Sequence, residues 1–152
     1  MAIDIPRVDV AVAIIVRRDR LLISFSLPWS SFTLPMTKRR LWQDPQIPAA
    51  TREEPWVEAA ARAAGESLGQ TFTQAPEYLA DLAEFRQGDR DGVWKRYHFQ
   101  VFRLNCPDDV EPRGAHIVEW LTPQQILDPN RRPISPTARY IIGELVGQGL
   151  IG

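Results

Sequence analysis

The sequence predicts an α/β fold in which a mixed β-sheet is packed between helices. Three observations support this prediction. Segments rich in β-branched and aromatic residues alternate with helical patterns in the order β-β-β-α-β-β-β-α-α. One alanine-rich segment has clear helical spacing. The length of 152 residues, with 44% hydrophobic and 24% charged residues, is typical of one globular domain over residues 1–152 and excludes a disordered, collagen-like or coiled-coil chain.

The first part of the chain predicts three strands and a long loop. Residues 8–17, VDVAVAIIVR, are rich in β-branched side chains and predict the first strand. Residues 18–20 are typical of a turn, and LLISF at 21–25 continues as the hairpin partner. A short third strand over 32–34 then leads into a long loop insertion at about 36–52, where prolines cluster.

The clearest helix is predicted over residues 56–68, WVEAAARAAGESL, since alanine is the best helix former. Pro55 suits a first helical turn, and Gly69 is a natural C-terminal stop. Apolar residues recur at helical spacing and predict the buried face: Val57, Ala60, Ala61, Ala64 and Leu68. Charged residues four apart predict a second stripe: Glu54, Glu58, Arg62 and Glu66.

The second half of the chain predicts three further strands and two helices. The strands cover 78–87, 93–104 and 117–121, with a turn at 88–92 between the first two. Thr122-Pro123-Gln124-Gln125 predicts a helix N-terminus with a capping box. Ser135-Pro136 gives a similar signal for a last helix over 137–146.

Composition limits the partners that we expect. Net charge is −1, so no general field attracts nucleic acid. The strand at 93–104 alternates aromatic and basic residues, but its period of two predicts that one face is core, so nucleic acid is not an expected partner.

The single cysteine, Cys106, excludes an internal disulfide and predicts a cytoplasmic location. The longest apolar run, at 10–16, is far shorter than the roughly 20 residues of a membrane span, and the N-terminus does not predict a signal peptide.

Several phrases of the sequence resemble the Nudix hydrolase family. VDVAVAIIVRRDRLLISF is similar to its opening hairpin, and Phe32-Thr33-Leu34-Pro35 resembles the W-x-L-P that precedes its catalytic loop. KRYHFQVFRL, IVEWLTPQQIL and PISPTARYIIGEL resemble its central strand, the following strand and short helix, and its closing helix. The resemblance covers residues 8–148 and implies a Nudix-type sandwich.

The family signature, G-x5-E-x7-R-E-U-x-E-E-x-G-U with U aliphatic, is only partly present. Four positions match the signature in spacing and residue type: Glu54, Arg62, Glu66 and Gly69. Four positions depart from it: Pro48 replaces the first Gly, Ala63 the Glu after the Arg, Ser67 the second Glu of the pair, and Gln70 the last aliphatic residue. The Gly-Gly that follows Leu-Pro in the family is replaced by Met36-Thr37, and the loop that follows is longer.

These departures bear on the chemistry that the resemblance implies. Family carboxylates hold Mg²⁺ or Mn²⁺ on a diphosphate, where the metal activates water. The first Glu and the Arg mainly brace the loop, which leaves Glu66 as the only metal-facing carboxylate. We therefore expect a protein that binds a nucleotide, another phosphorylated ligand or a protein partner, with weak or no Mg²⁺/Mn²⁺ binding and little or no hydrolysis. The alternative is an atypical Mg²⁺/Mn²⁺-dependent hydrolase that holds its metal with Glu66 and with Glu54, Glu58 or Glu84.

A basic run lies where the metal loop is expected. Lys38, Arg39 and Arg40, with Arg52 beyond them, could clamp a phosphate with fixed cations, or could form a solvated loop. Trp42 and Trp56 flank this segment. They could stack on a base or a protein partner, or anchor the loop to the body of the domain.

The two histidines, His98 and His116, lack neighbours at metal-ligand spacing. We expect both to be structural or surface residues.

Overall fold

The computed structural model describes residues 4–47, 49–71, 74–88, 91–113, 117–131 and 133–152. Within these residues the chain forms nine strands and three helices. The strands are β1 (Arg7–Arg17), β2 (Arg20–Ser26), β3 (Ser31–Thr33), β4 (Met36–Lys38), β5 (Leu41–Gln43), β6 (Thr51–Glu53), β7 (Glu77–Gln87), β8 (Trp94–Asn105) and β9 (Val118–Leu121). The helices are α1 (Trp56–Leu68), α2 (Pro123–Leu127) and α3 (Pro136–Gly147). The predicted mixed α/β sandwich is confirmed.

Strand β1 organises the main sheet, whose order is β3-β2-β1-β8-β7. One edge of β1 pairs with β8 in parallel along its length. The other edge is shared, since β2 pairs antiparallel with its last residues and β4 pairs antiparallel with Val10–Val12. Strand β9 joins the sheet through β2. β4 pairs with the middle of β1. The chain that leads from β4 to the β5–β6 hairpin and α1 therefore starts beside the centre of the sheet.

The alternation of β1 divides the core into two layers. Val10, Val12 and Ile14 point to the side that α2 and α3 cover, together with Ile141 and Leu145 of α3. The intervening residues point to the side of α1: Ala11, Ala13 and Ile15. The residues facing α1 are the smaller set, so this helix packs close to the sheet.

Helix α1 has the predicted boundaries but a different buried face. It ends at Gly69, whose φ of 71° is the left-handed conformation that glycine adopts without strain. Its buried residues are Ala59, Ala60, Ala63, Ala64 and Leu68. The prediction of Val57 and Ala61 at the core was wrong, and Val57 is 39% exposed. Alanine offers little hydrophobic contrast around a helix, so the spacing did not distinguish two adjacent alanine-rich faces.

The segment at 36–52 is not a loop throughout, so that prediction was also wrong. It contains β4 and a two-stranded hairpin of β5 and β6, in which Leu41 faces Glu53. Asp44 stabilises the hairpin turn by accepting N–H bonds from Gln46 and Ile47. Strands of three residues with little burial are too short to carry an alternation signal, which explains why the sequence did not reveal them. Pro48, which stands at the signature glycine, lies outside the described residues.

The second half of the chain follows the predicted order. Thr122 and Gln125 form the predicted capping box at α2. Ser135 caps α3 by accepting the N–H of Ala138. Part of the predicted 88–92 turn, and His116, lie outside the described residues. No helix in the described ranges has the length and apolarity to cross a membrane.

Candidate functional site

Glu54 and Arg62 form a bracing pair where the hairpin meets α1. Glu54 follows β6 and is 4% exposed. Its Oε1 accepts from Arg62 Nη2 at 2.9 Å and its Oε2 from Arg62 Nε at 3.1 Å. The backbone N–H of Arg40 donates to Oε1 at 3.1 Å. Hydrogen bonding to Arg62 holds the pKa of Glu54 below its ordinary value and raises the pKa of Arg62.

Arg62 also ties α1 to the chain that follows β3. Its Nη1 donates to Thr37 Oγ1 at 3.1 Å, and its Nη2 donates to the Lys38 carbonyl at 3.0 Å. Glu66 accepts a further bond from Nη1 at 3.3 Å. One guanidinium therefore fixes the segment before the hairpin, the segment after it and the helix in one arrangement.

The side chains present do not fit the Mg²⁺ or Mn²⁺ that this signature would hold. Both oxygens of Glu54 are occupied by Arg62 and Arg40. Glu66 is exposed and already bonded to Arg62, and Ala63 is 2% exposed against the core. Within the described part of the chain, no group of three or more His, Cys, Asp or Glu side chains is placed to hold an ion. A divalent cation usually needs one or two well-placed free carboxylates besides water and phosphate.

Two further acidic side chains were expected as replacement ligands, and within the described residues neither belongs to a group of three or more potential metal ligands. Glu58 is exposed in the first turn of α1. Glu84 lies on β7, where Arg86 donates to its Oε1.

The four basic residues predicted as a clamp fall into different environments. Arg39 is largely buried and pairs with Asp9 at 3.4 Å and Glu53 at 3.2 Å. It also donates to the Glu54 carbonyl at 2.9 Å. Arg39 is therefore occupied in holding the hairpin, and its part in a phosphate clamp stays a prediction that these contacts do not favour. The exposed residues that remain are Lys38, Arg40 and Arg52, and their role stays a prediction.

The two tryptophans have separate roles in the structure. Trp56 lies under Arg39, whose guanidinium carbon is 4.5 Å from the ring centroid, and it contacts His98 edge to face. It therefore anchors the hairpin base to the sheet. Trp42 packs within the hairpin against Arg52 at 4.2 Å. Its contact with a ligand or a protein partner stays a prediction.

His98 is structural, as expected. Besides Trp56, its ring contacts the guanidinium of Arg7 and lies between Asp9 and Asp81, at 3.7 and 3.9 Å. The two carboxylates lie against opposite ring nitrogens, so they do not converge with His98 on one point.

Two open cavities of ligand size lie on the described surface. One, of about 460 Å³, runs along α1 beside the bracing pair. Its lining residues are Ala61, Arg62, Gly65, Glu66, Gln70 and Thr71. The sequence did not predict the other, of about 430 Å³, on the side of the sheet that α2 and α3 cover. Its lining residues are Ile23, Phe32, Glu119, Leu121, Asp128, Asn130, Arg131 and Ile134. They come from strands and a loop far apart in the chain, so no local motif could have indicated this cavity.

Comparison with known proteins supports the fold. No family model matches the sequence, and no curated protein matches it. Solved structures do match. The MutT protein of Methanosarcina mazei has a TM-score of 0.66 at 17% identity, over 97% of this chain and 99% of that chain. A MutT Nudix hydrolase of Burkholderia pseudomallei has a TM-score of 0.64 at 19% identity, over 91% of this chain and 98% of that one.

A third structure contains a bound nucleotide derivative. The Nudix domain of Shewanella oneidensis NrtR, in complex with ADP-ribose, has a TM-score of 0.61 at 12% identity, over 93% of this chain and 88% of that chain. All three matches cover nearly the whole of both chains. The chain therefore has the fold of the Nudix hydrolases.

Proposed function

We propose that this protein is a Nudix-family protein that binds a nucleoside diphosphate-linked or other phosphorylated ligand and hydrolyses it slowly or not at all. One observation carries the proposal. The bracing pair of Glu54 and Arg62 is complete, whereas two of the positions that would hold the metal are occupied by Ala63, which is buried, and by Ser67, which is partly exposed. The frame of the site is kept, but the carboxylates that would grip a cation and orient water are mostly absent.

The cavity along α1 is the site that we assign to the ligand. The Lys38 carbonyl accepts from Arg62, which places this lysine beside the cavity. Arg40 is adjacent to Glu54 through its backbone N–H. Both side chains are exposed, and neither forms a direct salt bridge within the described part of the chain. Fixed cations of this kind favour a phosphate ligand.

A nucleotide ligand is supported by the complex of the Shewanella oneidensis Nudix domain with ADP-ribose. We therefore choose ADP-ribose as the first probe. Calorimetry without divalent ions should detect binding. A thermal shift should follow, since a ligand at 100 times its Kd stabilises by about 2.7 kcal/mol. No binding of ADP-ribose, other nucleotides or nucleotide sugars would refute the proposal.

Two variants locate the binding site. Lys38→Ala with Arg40→Ala should raise the Kd at least about tenfold, because each removes a charge-assisted contact. Arg131→Ala, in the other cavity, is the matched control and should leave the Kd unchanged. The opposite pattern would place the ligand in the second cavity.

Hydrolysis distinguishes this proposal from an atypical hydrolase. With Mg²⁺ or Mn²⁺, turnover should stay well below about 1 s⁻¹, the low end of typical enzymes. Turnover at or above that rate would contradict the proposal, and a loss of it in Glu66→Gln would assign the metal to Glu66. Ser67→Glu places a second carboxylate beside Glu66 and should tighten Mg²⁺ binding, which calorimetry can measure.

A further inference from the structure

Strand β7 forms one outer edge of the main sheet. It pairs with β8 along one side, and no strand within the described ranges pairs with its other side. It is 11 residues long, EYLADLAEFRQ, and contains neither proline nor lysine. These residues commonly protect an exposed edge from pairing with another chain. The strand does carry a bulge between Tyr78 and Ala80 and four charged residues, so a further strand can add only where its own bulge and charges match those of β7.

Two pairs of side chains on β7 lie symmetrically about Leu82. Leu82 pairs with Phe99 on β8, while Tyr78 pairs with Phe102 and Phe85 with Arg96. The β8 partners of Tyr78 and Phe85 are therefore each three residues from Phe99, in opposite directions along β8. Tyr78 is four residues from Leu82 in sequence, but the bulge between Tyr78 and Ala80 leaves one residue of β7 without a β8 partner, so the spacing along the ladder is also three. An odd offset in both directions places Tyr78 and Phe85 on one face of the sheet. They are 54% and 58% exposed.

Opposite charges follow the same symmetry. Glu77 pairs with Arg103 and Arg86 with Lys95, which places each of them four β8 positions from Phe99. A second copy of β7 running antiparallel about Leu82 would bring Glu77 opposite Arg86 of the other copy, twice. It would also bring Tyr78 opposite Phe85, twice. Both are favourable cross-strand pairs.

We infer that the protein self-associates through β7, which pairs with β7 of a second copy about a two-fold axis at Leu82. The main sheet then continues across both subunits. A symmetric, self-complementary strand is what an isologous dimer requires, whereas a foreign peptide would need no such symmetry. Tyr140 of α3 donates to the Ala83 carbonyl at 2.6 Å, and a carbonyl keeps a second lone pair for an interstrand bond.

Sedimentation over a concentration series tests this inference on the full chain. The mass should rise from 17.3 kDa toward twice that value. Glu77→Lys and Arg86→Glu should each weaken the dimer by roughly tenfold or more, because each places like charges opposite one another at both ends. An equimolar mixture of the two variants should dimerise again, since their heterodimer has two opposite-charge pairs. This rescue is specific to the register about Leu82.

Controls separate association from folding. Asp19→Lys, in the β1–β2 turn, changes the net charge as Glu77→Lys does and should leave the dimer intact. Arg86 also bonds Glu84, so circular dichroism must show that Arg86→Glu is folded. If it is not, Phe85→Ser, at an exposed position, should still weaken the dimer. A chain that stays monomeric at millimolar concentration, or a dimer that these variants do not weaken, would overturn the inference.

Discussion

Replacing Arg62 by methionine should destabilise the protein by about 3–5 kcal/mol, because it removes one partner of a buried ion pair. Glu54, whose side chain is 5% exposed in the wild type, would then retain only the N–H of Arg40. The bonds from Arg62 to Thr37 and Lys38 would be lost as well. The pair with Glu66 is exposed and contributes only a few tenths of a kcal/mol.

The opposite substitution should cost less. Glu54→Gln keeps the shape of the side chain and one acceptor oxygen. Arg62 is more exposed than Glu54 and keeps three other acceptors. We expect a loss of about 1–2 kcal/mol. The double variant should lose less stability than the sum of the losses in the two single variants, with a coupling energy of about 1.5–3 kcal/mol. The reason is that it leaves no buried charge without a partner.

Urea unfolding of the wild type, both single variants and the double variant measures these free energies. Arg18→Met is the matched control, since Arg18 pairs with Asp108 at the surface and should contribute less than about 1 kcal/mol. An unchanged m-value would show that the change in the free energy of unfolding does not come from an altered unfolded state. A loss below about 1 kcal/mol for Arg62→Met, or strict additivity with Glu54→Gln, would refute the assignment of Arg62 as the brace of the site.

Three further predictions follow from the structure. The folded-state pKa of Glu54 is below its ordinary value of 4.5, so the stability that its ionised carboxylate contributes is complete above pH 4.5 and is lost as pH falls through the folded-state pKa. Urea unfolding on acidification should show this loss in the wild type and not in Glu54→Gln. Ser135→Ala should lower stability by about 1 kcal/mol in thermal unfolding, because the hydroxyl caps the N–H of Ala138 at the start of α3. Trp56→Ala should uncover Arg39 and loosen the hairpin, which limited proteolysis within residues 41–53 would detect, with Trp29→Ala as the exposed control.

The main elements were predictable from the sequence because their signals are local. The β-branched run of β1, the alanines of α1 and the caps at Thr122 and Ser135 each correspond to an observed element. The short β5 and β6 were not predictable, since an isolated hairpin of exposed residues has no alternating pattern.

The candidate site was partly predictable for a similar reason. The spacing of Glu54 and Arg62 is a local property, and the structure brings the two side chains into contact. The burial of Arg39 depends on Asp9 and Glu53, which lie on different strands. No pattern within the basic run distinguishes Arg39 from Arg40. Only the tertiary arrangement separates the structural cation from the exposed one.

The two signature carboxylates that are missing differ in how readily a carboxylate could return. Ser67 is partly exposed on α1, so a glutamate there can keep its charge in water. Ala63 is 2% exposed on a helix whose buried face is built from alanines, so a glutamate there would enter a space that the close packing has filled. Burying an unpaired carboxylate costs several kcal/mol, and overpacking adds a further 1–3 kcal/mol. The close packing of α1 against the sheet, a feature of the fold, therefore opposes a carboxylate at one of the two positions where the family signature has one.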